Sequence, residues 1–341
     1  MLVRAGRMSS SRHYALSNGS MRLLNGESGF GIDFADMTMS VKDVVTPANN
    51  FSGDPNSKIT YVGGTKYVLG SNGLYTSGTT LRTSYDASGN ALGCLIEEGR
   101  TNLFLNSRSP ATQSITTAAT SYTISGVGAV GATLTLSGTA TGVLTGTAAK
   151  DRDKLTFTAT AGTLTITVAG TWDFVNVEAG TFATSPIVTA GTSVARAADK
   201  LSLLTSAFQY SATTGTVFFE YGGLLGGAMF RRLWQLNLSD ASGYIDRFID
   251  GAGNVYQSIM AGGLIKSGVA ATGRSALAYA ANDVAVSENG AAVVVSGTYT
   301  TASQNRLQIG NSSGSSQYLN GYVKRLAYFP RRRPNAELQA F

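Results

Sequence analysis

The stretch GCLIEEGRTNLFLNS, residues 93–107, is where residue types and spacing first suggest chemistry. Glu97 and Glu98 stand side by side at the end of an apolar run, and Arg100 follows across Gly99. A glycosidase works with two carboxyls ~5–9.5 Å apart on either side of one sugar. Adjacent residues of an extended strand point to opposite faces, so these two glutamates cannot converge on a substrate. No distant partner is named by the sequence. A structural joint fits the residues better: one glutamate pairs with Arg100 across the Gly99 turn, while Leu95, Ile96, Leu103 and Leu105 pin the segment to a core. Such a pair is worth about 0–1 kcal/mol when exposed, and breaking it costs more when it is buried.

Two further sets of residues could bind rather than react. In YIDRFID, Asp246 and Asp250 fall on one face with Phe248, and Asp240 lies in the turn before. Carboxylates and carbonyls of this kind hold Ca²⁺, and the competing reading is solvated strand charge. Trp172 in GTWDF, Trp234 in FRRLWQL and Tyr256 could offer a platform for the apolar face of a sugar ring. A tryptophan inside a strand is more often a core residue. Chemistry elsewhere lacks material. One histidine, His13, and one cysteine, Cys94, leave no Ser-His-Asp triad, no His-Cys zinc site and no intrachain disulfide. Neither a catalytic residue nor a cofactor is expected. The net charge of +6 is spread thinly, with Arg331-Arg332-Arg333 the one tight basic cluster, so nucleic acid is not an expected partner. No apolar run approaches the ~20 residues that span a bilayer, so membrane insertion is not expected either, and MLVRAGRMSSSRHYALS lacks the apolar core of a secretory signal.

Strands must position these residues. Charged residues are only 13% of the 341, and Gly (41 residues), Thr, Ser and Ala take their place, a composition of many tight turns. The length suits two or three domains. Residues 108–200 alternate apolar and polar with period two: in LTLSG, LTFTAT and LTITVAG the large apolar residues fall on one face and Thr on the other. Turns recur at the spacing of a sandwich or barrel. Residues 201–341 read as a second all-β block, with a hairpin at Asn289-Gly290 and one short helix starting at Pro334 and Asn335. Residues 46–107 read as a small β-rich connecting region. Residues 1–45, with five methionines (Met1, Met8, Met21, Met37, Met39) and scattered arginines, show no clear period. They are expected to be an irregular N-terminal segment that orders against a partner. The fold class is therefore all-β, with tandem sandwich domains.

Three stretches resemble bacteriophage virion proteins of the tail-fibre, spike or head-fibre type. GCLIEEGRTNLFLNS is similar to their LLIEE-x-RTNLLLNS joint. VNVEAGTFATSPIVTAGTSVARAADKL, residues 175–201, resembles the end of their middle β domain. LNGYVKRLAYFPRRRPNAELQAF, residues 319–341, resembles the last strand and helix of a concanavalin-A-like, laminin-G-like jelly roll. The likeness covers roughly residues 80–341. It implies a virion-anchoring N-terminus (1–45), a carbohydrate-binding-module-like sandwich (108–200) and a lectin-like jelly roll (201–341). It also implies attachment to a portal, tail or capsid protein, a homo-oligomer with a trimer favoured, and display of loops for host-surface polysaccharide. Two alternatives stay open: a head-decoration or head-fibre protein with a purely architectural role, and a polysaccharide depolymerase.

Overall fold

The computed structural model describes Leu24 and residues 27–341, apart from 227–229, 239–243, 260–262, 270–272, 297–298, 300–302 and 314–316. Most of the expected N-terminal anchor, together with His13 and Asp240, therefore lies outside the described residues. What is described is all-β, closed by one helix, Asn335–Ala340.

The middle sandwich faces a four-stranded sheet (Gln113–Thr117, Gly162–Ala169, Thr133–Gly138, Gly142–Thr145) against a three-stranded one (Asp153–Ala159, Thr120–Gly128, Trp172–Ala179). Leu134, Leu136, Leu164 and Ile166 from the first sheet meet Ile124, Phe157, Val175 and Val177 from the second in one core. Within Thr133–Gly138 the alternation is direct: Leu134 and Leu136 are buried and Thr135 is exposed. Each buried leucine contributes about 1.5–3 kcal/mol, and a one-residue register slip would turn the whole set to solvent.

The second unit is a larger sandwich of a ten-stranded and a seven-stranded sheet. Its core draws Val217, Phe219, Leu277, Leu326 and Tyr328 from one sheet, and Leu203, Trp234, Leu236, Ile249 and Leu307 from the other. The terminal helix buries Leu338 against Ala276, Ala278 and Ala285, and Phe341 stacks on Phe218 with centroids 4.9 Å apart.

The expected domain boundaries need correction here. Gly29–Asp33 and Thr38–Lys42, inside the segment assigned to the anchor, are strands of the ten-stranded sheet. Gly29–Asp33 pairs with Gly321–Phe329, placing Phe30 opposite Tyr328. Phe30, Ile32, Phe34, Met39 and Val41 are all in the jelly-roll core. Gly29 is required at its position: its φ is +141°, and a Cβ there would come 2.1 Å from the Tyr328 carbonyl oxygen. Likewise Thr60–Val62 extends the seven-stranded sheet beside Lys200–Leu204, and Ala91–Ile96 pairs with Gly321–Phe329. Residues 46–107 are thus not a separate connector. The jelly roll starts near residue 29, and the middle sandwich is inserted into it between Ile96 and Lys200. The physical reason is the long-range pairing: strands of three to six residues carry too short a period to reveal a partner some 300 residues away.

Candidate functional site at the inter-domain joint

The chain leaves the jelly roll through Arg100–Asn102 and returns through Val194–Arg196, and these two short strands pair antiparallel, with Thr101 opposite Ala195. Entry and exit are therefore laced together. Gly99 is needed in this narrow passage, since a Cβ would sit 3.1 Å from both the Ala198 nitrogen and the Arg196 carbonyl oxygen. Asn102, fully buried, ties the ribbon to the sandwich. Its Nδ2 donates to the Ile187 carbonyl and to Asn176 Oδ1, both at 2.8 Å, and its Oδ1 accepts from the Val177 and Phe104 amides.

Glu97 and Glu98 diverge. Glu97 is fully buried and faces Lys66, Arg196 and Asp199, which are also buried. Its Oε2 lies 3.7 Å from Lys66 Nζ and 3.5 Å from Arg196 Nη2, and its Oε1 accepts from the Ser185 amide at 2.7 Å. Asp199 pairs with Lys66, accepts from the Glu97 amide at 2.8 Å and from the Tyr61 hydroxyl at 2.7 Å. Lys66 also donates to the Leu95 carbonyl. Two cations and two anions thus close on one another without net charge. Burial works to raise the Glu97 carboxyl, but Arg196, Lys66 and the Ser185 amide together hold it below the ordinary glutamate value. Burial likewise works to lower Arg196, and Glu97 and Asp199 hold its guanidinium above the usual value. Both groups stay charged, so neither Glu97 nor Arg196 has a proton to give or take near neutral pH.

Glu98 turns the other way. It pairs with Arg100 at 2.5 Å and accepts from Asn320 Nδ2 at 2.9 Å, while its amide donates to Asn320 Oδ1. The Arg100 guanidinium lies 4.8 Å from the Phe182 ring centroid. The joint therefore grips three pieces at once: the hairpin Lys66–Leu69 with Tyr75–Gly78, the loop at Asn320 from the jelly roll, and residues 182–185 from the end of the sandwich. Glu178, the glutamate of VNVEAG, is buried beside it and accepts from the Thr184 amide at 3.0 Å. Burial raises its carboxyl above the ordinary value.

The other sequence candidates go to separate places. Asp246 is buried on the seven-stranded sheet, paired with Arg232 and accepting from Gln235 Nε2 at 3.1 Å; burial, opposed by Arg232, pushes its carboxyl up to about 6. Asp250 caps the next turn by accepting from the Ala252 and Asn254 amides. Each carboxylate already serves protein donors, and no group of three or more His, Cys, Asp or Glu residues suited to a metal occurs among the described residues. The glycan-platform expectation also changes for both tryptophans. Trp172 fills the sandwich core, its ring so close that a Cβ on Gly128 would come within 2.7 Å, and Trp234 fills the jelly-roll core. Tyr256 is half-buried and stacks on Phe248 at 5.6 Å, and Phe248 in turn meets the exposed ring of Phe230. Cys94 is buried, and burial pushes its thiol up to about 11.

Sequence reasoning singled out Glu97, Glu98 and Arg100 but not Lys66, Arg196 or Asp199. Arg196 and Asp199 carried a signal, the A-R-A-A-D run. Lys66 carried none, because it meets Asp199 across 133 positions.

No protein-family model and no curated protein matches the chain. Among solved structures, the NanB sialidase from Streptococcus pneumoniae is 16% identical over 41% of this chain, with a TM-score of 0.35. The CBM40 domain of the Ruminococcus gnavus IT-sialidase, bound to α2,3-sialyllactose, is 14% identical over 38% of this chain and 82% of its own length, with a TM-score of 0.33. Trypanosoma rangeli sialidase is 14% identical over 41%, with a TM-score of 0.35. The chain spans only 26% and 25% of the two full sialidases. At these scores the matches carry no argument about ligand or activity.

Proposed function

We propose that this chain is a non-catalytic structural and adhesion component of a bacteriophage particle, a fibre or spike that holds two β-sandwiches away from the virion for host-surface glycan binding. The observation that carries the reading is the fate of the paired glutamates: Glu97 is locked among Lys66, Arg196 and the Ser185 amide, and Glu98 is tied to Arg100 and Asn320. The adjacent carboxylates of the sequence thus serve the joint between the two sandwiches, as their divergence along a strand led one to expect. The resemblance of residues 93–107, 175–201 and 319–341 to phage fibre proteins supports the virion setting.

Attachment to a portal, tail or capsid protein is proposed through residues 1–23, since the strands from Gly29 onward are engaged in the jelly roll. Identical copies, a trimer in this proposal, would convert individually modest sugar contacts into firm adhesion by raising effective concentration. The test combines an immunogold-labelled particle image with a host-polysaccharide array and a reducing-end release assay. Fibre or spike labelling with binding and no release is expected. Release of sugar ends would replace the reading with a depolymerase. Head labelling without any binding would replace it with pure architecture.

A further inference from the structure

A cleft of about 550 Å³ opens between the middle sandwich and the turn of the hairpin that carries Lys66. Its volume lies within the ~300–1,000 Å³ of small-ligand sites, room for a short oligosaccharide. One wall is the hairpin turn at Gly73, Leu74 and Tyr75; the opposite wall is the sandwich edge at Asp173 and Phe174; Arg108 and Lys150 complete the rim.

The charged side chains of this cleft differ from those of the joint. Arg108 sits with its guanidinium carbon 5.6 Å from the Tyr67 ring centroid and 6.0 Å from that of Phe174. Beyond these ring contacts it has no hydrogen-bond or ion-pair partner among the described residues. Lys150 lays its stem along Gly73, where an added Cβ would come within 2.8 Å of its Cδ, and its amine has no protein acceptor among the described residues. Asp173, exposed on the facing strand, has no donor among them either. Arg331, a similarly exposed arginine, by contrast pairs with both Glu27 and Glu337. Two cations and one carboxylate therefore line a single cavity with their hydrogen-bonding capacity unused, beside the rings of Tyr75 and Phe174, which meet edge to face at 5.6 Å.

We infer that this cleft binds a carboxylate-bearing sugar, a uronic-acid-type residue within a host glycan. The chemistry matches group by group. The guanidinium of Arg108 lies beside two rings, and its planar fork can meet a carboxylate bidentately. Lys150, lying along Gly73, supplies a second positive charge to the same cavity. Asp173 accepts from sugar hydroxyls, a contact that a neutral or acidic saccharide offers. A sulfate ion, which carries no hydroxyl at neutral pH, offers none, and Asp173 would repel it. Leu74, 64% exposed, gives the apolar face of the ring a surface to cover. Gly73 fits the same picture, with φ +76° and no side chain to fill the space that Lys150 occupies.

This inference rests on the glycan-binding reading, and the experiment separates the two. The full chain is titrated calorimetrically with a glucuronate-containing disaccharide and with its neutral glucose counterpart, and a host-polysaccharide array is run beside it. The acidic sugar is expected to bind more tightly than the neutral one. Arg108→Gln and Asp173→Asn are each expected to weaken the acidic sugar about tenfold or more, while Phe230→Ala, on the seven-stranded sheet of the jelly roll and not among the residues lining the cleft, leaves it unchanged. Unaltered melting curves for the exposed variants keep a folding defect from mimicking the effect. Binding that survives Arg108→Gln would overturn the site while sparing the glycan reading. Preference for neutral sugars would overturn the ligand class. Failure of the wild-type chain on every glycan would overturn both.

Discussion

Replacing Glu97 by glutamine isolates charge from shape at the joint. The amide oxygen can still accept from the Ser185 amide, but the attractions to Lys66 at 3.7 Å and Arg196 at 3.5 Å are lost. With an effective dielectric of ~20, each is worth about 4–5 kcal/mol in gross Coulomb energy. Loss of the repulsion from Asp199 and of the carboxylate's own burial penalty offsets part of that. The net destabilisation expected is about 3–5 kcal/mol, the usual cost of removing one partner from a buried pair. Trp172 and Trp234 are the only two tryptophans, one in each core, so in a Trp172→Phe background fluorescence reports the jelly roll alone. With a urea slope of about 2–3 kcal/mol per molar, its midpoint should fall by about 1–2 M.

The pH dependence has a definite sign. The folded-state Glu97 carboxyl lies below its ordinary value, so its contribution is present above the unfolded value of about 4.3 and disappears as pH falls through the folded one. The gap between wild type and Glu97→Gln should be widest near neutrality and close in acid. Adding Lys66→Met to Glu97→Gln restores the balance of charge, with Arg196 facing Asp199, and the double variant should be about 1–3 kcal/mol more stable than the two single effects summed. A midpoint shift under about 0.3 M in urea, or strict additivity of the two substitutions, would refute the view that this cluster locks the domains.

Removal of residues 1–23 should leave the jelly-roll melt unchanged in circular dichroism and abolish particle incorporation, whereas removal of 1–45 takes Phe30, Ile32, Phe34, Met39 and Val41 out of the core and should unfold it. Asp246, pushed up to about 6 by burial, makes the folded state prefer the protonated acid. Stability should therefore fall by on the order of 3 kcal/mol as pH rises from about 4 to 6, and Asp246→Asn should flatten that fall in urea melts. Trp172→Ala should destabilise the middle sandwich by about 3–5 kcal/mol while the Trp234 signal keeps its midpoint.

Local period was legible and long-range pairing was not. Leu134, Leu136, Leu164 and Ile166 announce a one-faced sandwich because their inward positions follow from two-residue alternation within a single strand. Nothing comparable marks GFGID, where Phe30 and Ile32 alternate over only five residues, so its place beside Gly321–Phe329 could not be read. The inserted sandwich follows from the same cause: a chain that supplies strands at both ends of one jelly roll looks, in linear order, like three domains in a row.

The charged residues divide on the same principle. Glu98 and Arg100 are two positions apart, and their pairing across Gly99 is a local fact of the chain. The partners of Glu97 come from residues 66, 185, 196 and 199, so its burial is a property of the closed joint alone. Entry and exit strands of the sandwich pair with each other at this point, and the buried cluster is expected to fix how the cleft at Arg108 is presented. Lys66 begins the hairpin whose turn forms one wall of that cleft. If the joint is loosened by Glu97→Gln, the turn at Gly73 loses its fixed distance from Asp173, and affinity for an acidic sugar should drop in the same variant even though no contact residue has changed. Loosening without loss of affinity would mean that the hairpin holds its place by its own packing.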